Sequence, residues 1–291
     1  MSRLKIMNMI FKRKGISVPA MSQSAELAER PIFIATVFKS GTKLLEHIVA
    51  KLTGLDINTP TMLAGSDYES VAPITFESGK FFVWHNVPTE NLKAKLIMAK
   101  AQPIFLIRNI YDLAVSQYFH FAYDVDAEIG HATHTSNYFS MMSLNEGISL
   151  TLCGATSESF NWVGFGYYLR QIERILQFSK EYPCHVVAYE RLILKKEQEI
   201  KQLAAFLKID LRDELLKEIL DSSSLESMRR ARISLVGSGN HFRVGVPGNH
   251  ATVLKSWHYD MINQLQVHFA PNLDALCKEL RYFEITNRPL M

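Results

Sequence analysis

Three short apolar runs, each followed by a stretch of helical spacing, constrain this chain more than any other feature. Residues 31–36, 81–84 and 103–107 are apolar without alternation, as strands buried on both faces are. After the first, Leu44, Leu45, Ile48, Val49 and Leu52 recur at helical spacing. Helices are predicted over 90–100 and 111–121 after the other two, then over 160–180. A fourth strand is predicted at 185–188, with helices near 197–207, 212–220 and 225–232. Strands alternating with helices imply a three-layer α/β fold, a central parallel sheet flanked by helices. In such folds ligands sit beyond the carboxyl ends of the strands.

The bulk properties narrow the class. With 47% hydrophobic residues the chain of 291 residues holds enough apolar material for a full core. A net charge of +3 suits a small polyanionic ligand and is too weak to indicate nucleic-acid binding. No run of about 18 apolar residues exists to span a membrane. Three scattered cysteines, Cys153, Cys184 and Cys277, read as reduced thiols of a cytoplasmic protein. Arg3, Lys5, Lys12, Arg13 and Lys14 make residues 1–30 a basic arm, either solvated or a short amphipathic helix touching an anionic surface. Residues 31–291 form the main domain.

Between the first strand and its helix lie Lys39, Ser40, Gly41, Thr42 and Lys43. A glycine there lets the backbone approach an anion, the helix start presents N–H groups, and the neighbours add hydroxyls and charge. This is not the triphosphate loop, in which a lysine directly follows the second glycine: here Thr42 follows Gly41, and Lys39 precedes it by two. A second anion site is expected where Arg108 ends the third strand and Ser116 stands two turns into the next helix. The two can grip one phosphate from two sides.

With these motifs in place, the sequence resembles the sulfotransferases that use 3′-phosphoadenosine 5′-phosphosulfate (PAPS). Residues 36–42 are similar to that family's 5′-phosphosulfate loop, and 108–116 to its 3′-phosphate motif. Residues 243–248 resemble its carboxyl-terminal segment over the nucleotide, 187–190 its strand with an adenine-contacting tyrosine, and 223–228 its segment beside the adenine. The resemblance implies transfer of a sulfuryl group from PAPS, leaving PAP, to the hydroxyl of a small-molecule or glycan acceptor, with no metal. It assigns Lys39, Ser40, Gly41, Thr42 and Lys43 to the phosphosulfate. Arg108, Ser116, Arg243 and Gly245 fall to the 3′-phosphate, and Tyr189, Ser223, Leu225 and Met228 to the adenine. His85 follows the second strand in a segment similar to the one carrying the family's general base, and Lys39 would neutralise the leaving phosphate.

Departures from the family pattern at Leu44, Val83, Leu225, Val244 and His250 imply weaker nucleotide binding. A small-molecule kinase and a non-catalytic nucleotide-binding member of the fold stay open as alternatives. Residues 56–79, 122–157 and 234–241 are expected to wall the acceptor pocket. A pair of histidines, His131 and His134, lacks partners at ligand spacing.

Overall fold

The computed structural model describes residues 30–58, 80–85, 89–123, 138–156, 161–236 and 244–287. Residues 1–29 of the basic arm, His131, His134 and Arg243 lie outside these residues.

Among the described residues five parallel strands form the central sheet: β1 (Ile32–Thr36), β2 (Asp56–Asn58), β3 (Lys80–Trp84), β4 (Gln102–Ile107) and β7 (His185–Ala188), in the order β2-β3-β1-β4-β7. β1 and β4 are buried along their whole length, which explains runs with no polar alternation. Side chains on a strand point alternately to opposite faces, and the core divides accordingly. Phe33, Ala35, Phe82, Phe105, Ile107 and Val186 face one layer; Ile32, Ile34, Phe81, Val83, Ile104, Leu106 and Val187 face the other.

The first layer contains α2 (Glu90–Met98), α3 (Ile110–Tyr123), α4 (Leu144–Cys153) and α5 (Phe165–Glu181), with α10 (Ser256–Phe269), α11 (Leu273–Glu279) and α12 (Phe283–Thr286). The second contains α1 (Thr42–Thr53), α6 (Tyr189–Leu194), α7 (Lys196–Phe206) and α8 (Asp213–Ser222). α9 (Leu225–Val236) follows α8, and the two-residue strands β5 (Ala155–Thr156) and β6 (Asn161–Trp162) pair antiparallel. β1 lies between β3 and β4, so the chain leaves it toward one edge and later crosses to the other. The crevice over its carboxyl end is where ligands bind in such sheets.

Four expectations change. Asp56–Asn58 is a strand, so the second apolar run is the third strand in chain order. Within 122–157, expected to wall the acceptor pocket and given no helix beyond residue 121, residues 144–153 form α4, opened by a reciprocal cap between Ser143 and Glu146. Gly147 lets α4 approach α3, since a Cβ there would stand 2.4 Å from Tyr118 Cε2. Tyr189 begins α6 rather than lying on a strand, and the helix expected from residue 160 starts at Phe165.

Candidate active site

The loop from Val37 to Gly41 crosses from β1 to α1, and its Phe38, Lys39 and Gly41 line a cavity of about 300 Å³. Ser40 shapes the loop. Its hydroxyl donates to Val37 O at 2.6 Å with Leu106 O at 3.2 Å, and its N–H to Val37 O at 3.0 Å. Its side chain is buried and does not line the cavity, so it braces the turn instead of presenting a hydroxyl there. Gly41 has φ 111°. A Cβ there would lie 2.6 Å from Tyr189 Cδ2, so conformation and close approach both require glycine. Lys39 adopts φ 69°, the left-handed region, and its carbonyl accepts from Arg108 Nη1 at 3.1 Å.

Every residue expected at the site lines this cavity except Ser40 and the undescribed Arg243. Lys39, Thr42 and Lys43 come from the first loop and helix, Arg108 and Ser116 from the end of β4 and from α3, and His85 from the end of β3. Tyr189, Ser223, Leu225, Met228 and Gly245 line it too. Lys43 reaches it with its ammonium bound to Glu46 at 2.8 Å. Burial raises the Glu46 carboxyl while Lys43 draws it down.

Arg108 lies over the Tyr189 ring, 4.4 Å from its centroid. Its Nε is buried with no hydrogen-bond partner among the described residues. A buried donor left unsatisfied costs about 1–3 kcal/mol, and an anion at this spot would relieve it. The Tyr189 hydroxyl donates to Gly245 O at 3.0 Å, tying the carboxyl-terminal segment to the same ring. That segment is fastened again by Asp112, which accepts from Gly248 N at 2.6 Å and His250 N at 2.9 Å.

His85 Nδ1 lies 3.0 Å from Thr36 Oγ1 and 3.3 Å from Thr36 O, and Thr36 Oγ1 lies 2.7 Å from Thr42 Oγ1. A carbonyl only accepts, so Nδ1 carries the ring proton and Nε2 keeps the lone pair. Burial chiefly, then the charges of Lys43 and Lys39, lower the imidazole to about 4, against the hydrogen bond to Thr36. At neutral pH this is an uncharged base.

Sequence reasoning missed His120 and Glu46. Asp112, Ser116 and His120 stand four residues apart on α3 and all line the cavity. That polar stripe on a largely apolar helix was the readable signal.

The sequence model of the sulfotransferase domain family matches residues 29–281. Among solved structures, mouse sulfotransferase SULT7A1 complexed with PAP matches with a TM-score of 0.61 at 18% identity, over 90% of this chain and 94% of that one. Retinol dehydratase in complex with androsterone and the inactive cofactor PAP matches with a TM-score of 0.53 at 13% identity, over 94% and 88%. At such identities these matches establish the shared fold. No curated protein sequence matches the chain.

Proposed function

The chain belongs to the sulfotransferase domain family, and from that premise we propose that it moves the sulfuryl group of PAPS to the hydroxyl of a small-molecule or glycan acceptor. The observation that carries the reading is one cavity lined by both an anion-binding loop around Lys39 and a second basic site at Arg108 and Ser116. A ligand with a single anionic end would need one of these; PAPS has two. The buried, unpaired Nε of Arg108 fits the same ligand. The 3′-phosphate falls to Arg108, Ser116, Gly245 and Arg243, and the adenine to Tyr189, Ser223, Leu225 and Met228. The phosphosulfate falls to Lys39, Gly41, Thr42 and Lys43, with Ser40 bracing the loop.

PAPS supplies an activated sulfuryl group on a good leaving phosphate. His85 Nε2 takes the proton of the acceptor hydroxyl as its oxygen bonds to sulfur. The sulfur–oxygen bond to the phosphate breaks, its electron pair stays on PAP, and Lys39 offsets that growing charge. In-line transfer needs no covalent enzyme intermediate. Phe38 borders the cavity and lies within 5.1–6.4 Å of the rings of His85, His120, Phe121, Trp162 and Tyr168, which supports an acceptor with an apolar body. The domain would span 31–291, with the basic arm before it. Three unpaired cysteines support a cytoplasmic location, and no helix of the described residues is long and apolar enough to cross a membrane.

Thermal shift with PAP and with ATP tests the nucleotide: stabilisation by ATP but not PAP would defeat the reading. Incubation with labelled PAPS and panels of phenols, lipid alcohols and glycans tests the transfer. His85→Ala is expected to abolish it with PAP binding nearly unchanged.

A further inference from the structure

A second imidazole reaches the cavity, and the reaction as written does not use it. His120 lies on α3 one turn beyond Ser116, 8% exposed, and lines the cavity beside Lys39. Its ring meets Phe38 edge-on with centroids 5.1 Å apart and lies 5.7 Å from Phe121. These neighbours hold the plane of the ring.

His120 Nδ1 is 3.4 Å from Lys39 Nζ. An ammonium offers donors only, so Nδ1 is the acceptor and the proton of the neutral ring sits on Nε2. Lys39 is thereby held at both ends. Its backbone is fixed in the left-handed region with its carbonyl on Arg108 Nη1, and its ammonium is drawn toward α3. That contact narrows where the flexible four-carbon stem can place the charge.

We propose that His120 is a positioning residue for Lys39: its Nδ1 lone pair holds the ammonium between the loop and the acceptor side of the cavity before transfer begins. The inference rests on the proposed role of Lys39 in offsetting charge on the leaving phosphate. A preplaced charge lowers the barrier because no reorganisation is left for the moment of reaction.

Two substitutions separate this role from packing. His120→Phe keeps the ring and removes the acceptor; His120→Asn loses the ring and keeps an acceptor near the place of Nδ1. Displacing a reacting group by about 1 Å costs on the order of a hundredfold. With labelled PAPS, His120→Phe is expected to lower kcat by about ten- to a hundredfold while KM for PAPS changes less than about twofold. His120→Asn should recover most of that rate. Added to Lys39→Met, His120→Phe should cause no further loss. Unchanged kcat in His120→Phe, a loss confined to KM, or losses that simply multiply would each overturn the proposal.

A readout free of turnover stands beside it. Ring-nitrogen spectra should give His120 as the Nε2–H tautomer, and Lys39→Met should move its Nδ1 resonance toward that of a free lone pair; an unmoved resonance would overturn the tether. Should the wild type bind no PAP and yield no sulfated product, the sulfotransfer reading fails, and these spectra still decide the tether. They decide it too if His120→Phe does not fold.

Discussion

The Asp112 carboxylate accepts the N–H of Gly248 at 2.6 Å and that of His250 at 2.9 Å, so one buried side chain on α3 fixes the segment that carries Gly245. Asn in its place keeps the size but offers one acceptor and turns an NH₂ toward the other donor. Losing a hydrogen bond to a charged group costs about 1.5–3 kcal/mol. Asp112→Asn is therefore expected to weaken PAP binding by roughly ten- to a hundredfold, read by calorimetric titration. Equal affinity in both proteins would mean that the position of this segment does not govern nucleotide binding.

Gly41 and Gly54 form an internal comparison. Both have left-handed φ, 111° and 67°. Around Gly54 a Cβ would meet nothing within 4 Å, whereas at Gly41 it would lie 2.6 Å from a Tyr189 ring held by Gly245 and Arg108. Alanine at Gly54 costs the backbone strain alone, about 1–2 kcal/mol. At Gly41 overpacking adds about 1–3 kcal/mol. Thermal unfolding should rank Gly41→Ala below Gly54→Ala by several degrees, and the reverse order would refute the tyrosine contact.

The buried sheet was legible because β1 and β4 are short, nearly continuous apolar runs followed by turns, the pattern of strands covered on both faces. β2 was not, since Asp56 and Asn58 flank its single apolar residue, Ile57, and backbone pairing to Lys80–Phe82 defines it. α4 hid behind Gly147, Ser149 and Thr151, poor helix formers: Gly147 serves the contact with Tyr118, and Ser149 and Thr151 turn their hydroxyls back on Asn145 O and Gly147 O within the helix. Its start was readable, however, as Ser143 and Glu146 at capping-box spacing. At the site, residue types in order gave the loop and Arg108. Direction did not follow from type. Ser40 turns its hydroxyl inward, and Lys43 is held by a buried Glu46 three residues on.

With His85 as the proposed base, its lowered imidazole sets the acid limb expected of the reaction. Burial first, then Lys43 and Lys39, bring it from 6.5 to about 4. The base form therefore persists through neutral pH, and kcat/KM for PAPS should stay flat down to about pH 5, falling as the pH approaches 4. Anionic PAPS adds negative charge nearby, so the limb in kcat should lie higher than that in kcat/KM. The same shift bears on folding. The unfolded chain binds this proton at 6.5 and the folded one near 4, so stability falls as the pH drops through that interval, and His47, also lowered to about 4, adds to the fall. A kcat/KM midpoint near 6.5 would remove His85 as the buried base.

Glu190 runs the opposite way. Burial raises its carboxyl from 4.5 to about 7, against Arg108 and the Asn109 N–H, which donates to Oε1 at 3.0 Å. Oε2 has no partner among the described residues. Between those values the folded chain holds a proton that the unfolded one has lost, so the group's contribution to stability declines as the pH rises through the interval. Glu190→Gln keeps an acceptor for Asn109 and cannot ionise. Its melting temperature should match the wild type near about pH 4 and exceed it near about pH 8, by an amount on the order of 1–3 kcal/mol in stability. PAP affinity should hold, because Arg108 keeps its charge and its place over Tyr189. A variant less stable than the wild type at the higher pH would mean that Glu190 is ionised and paired with Arg108, and the arginine would then face the nucleotide already half neutralised.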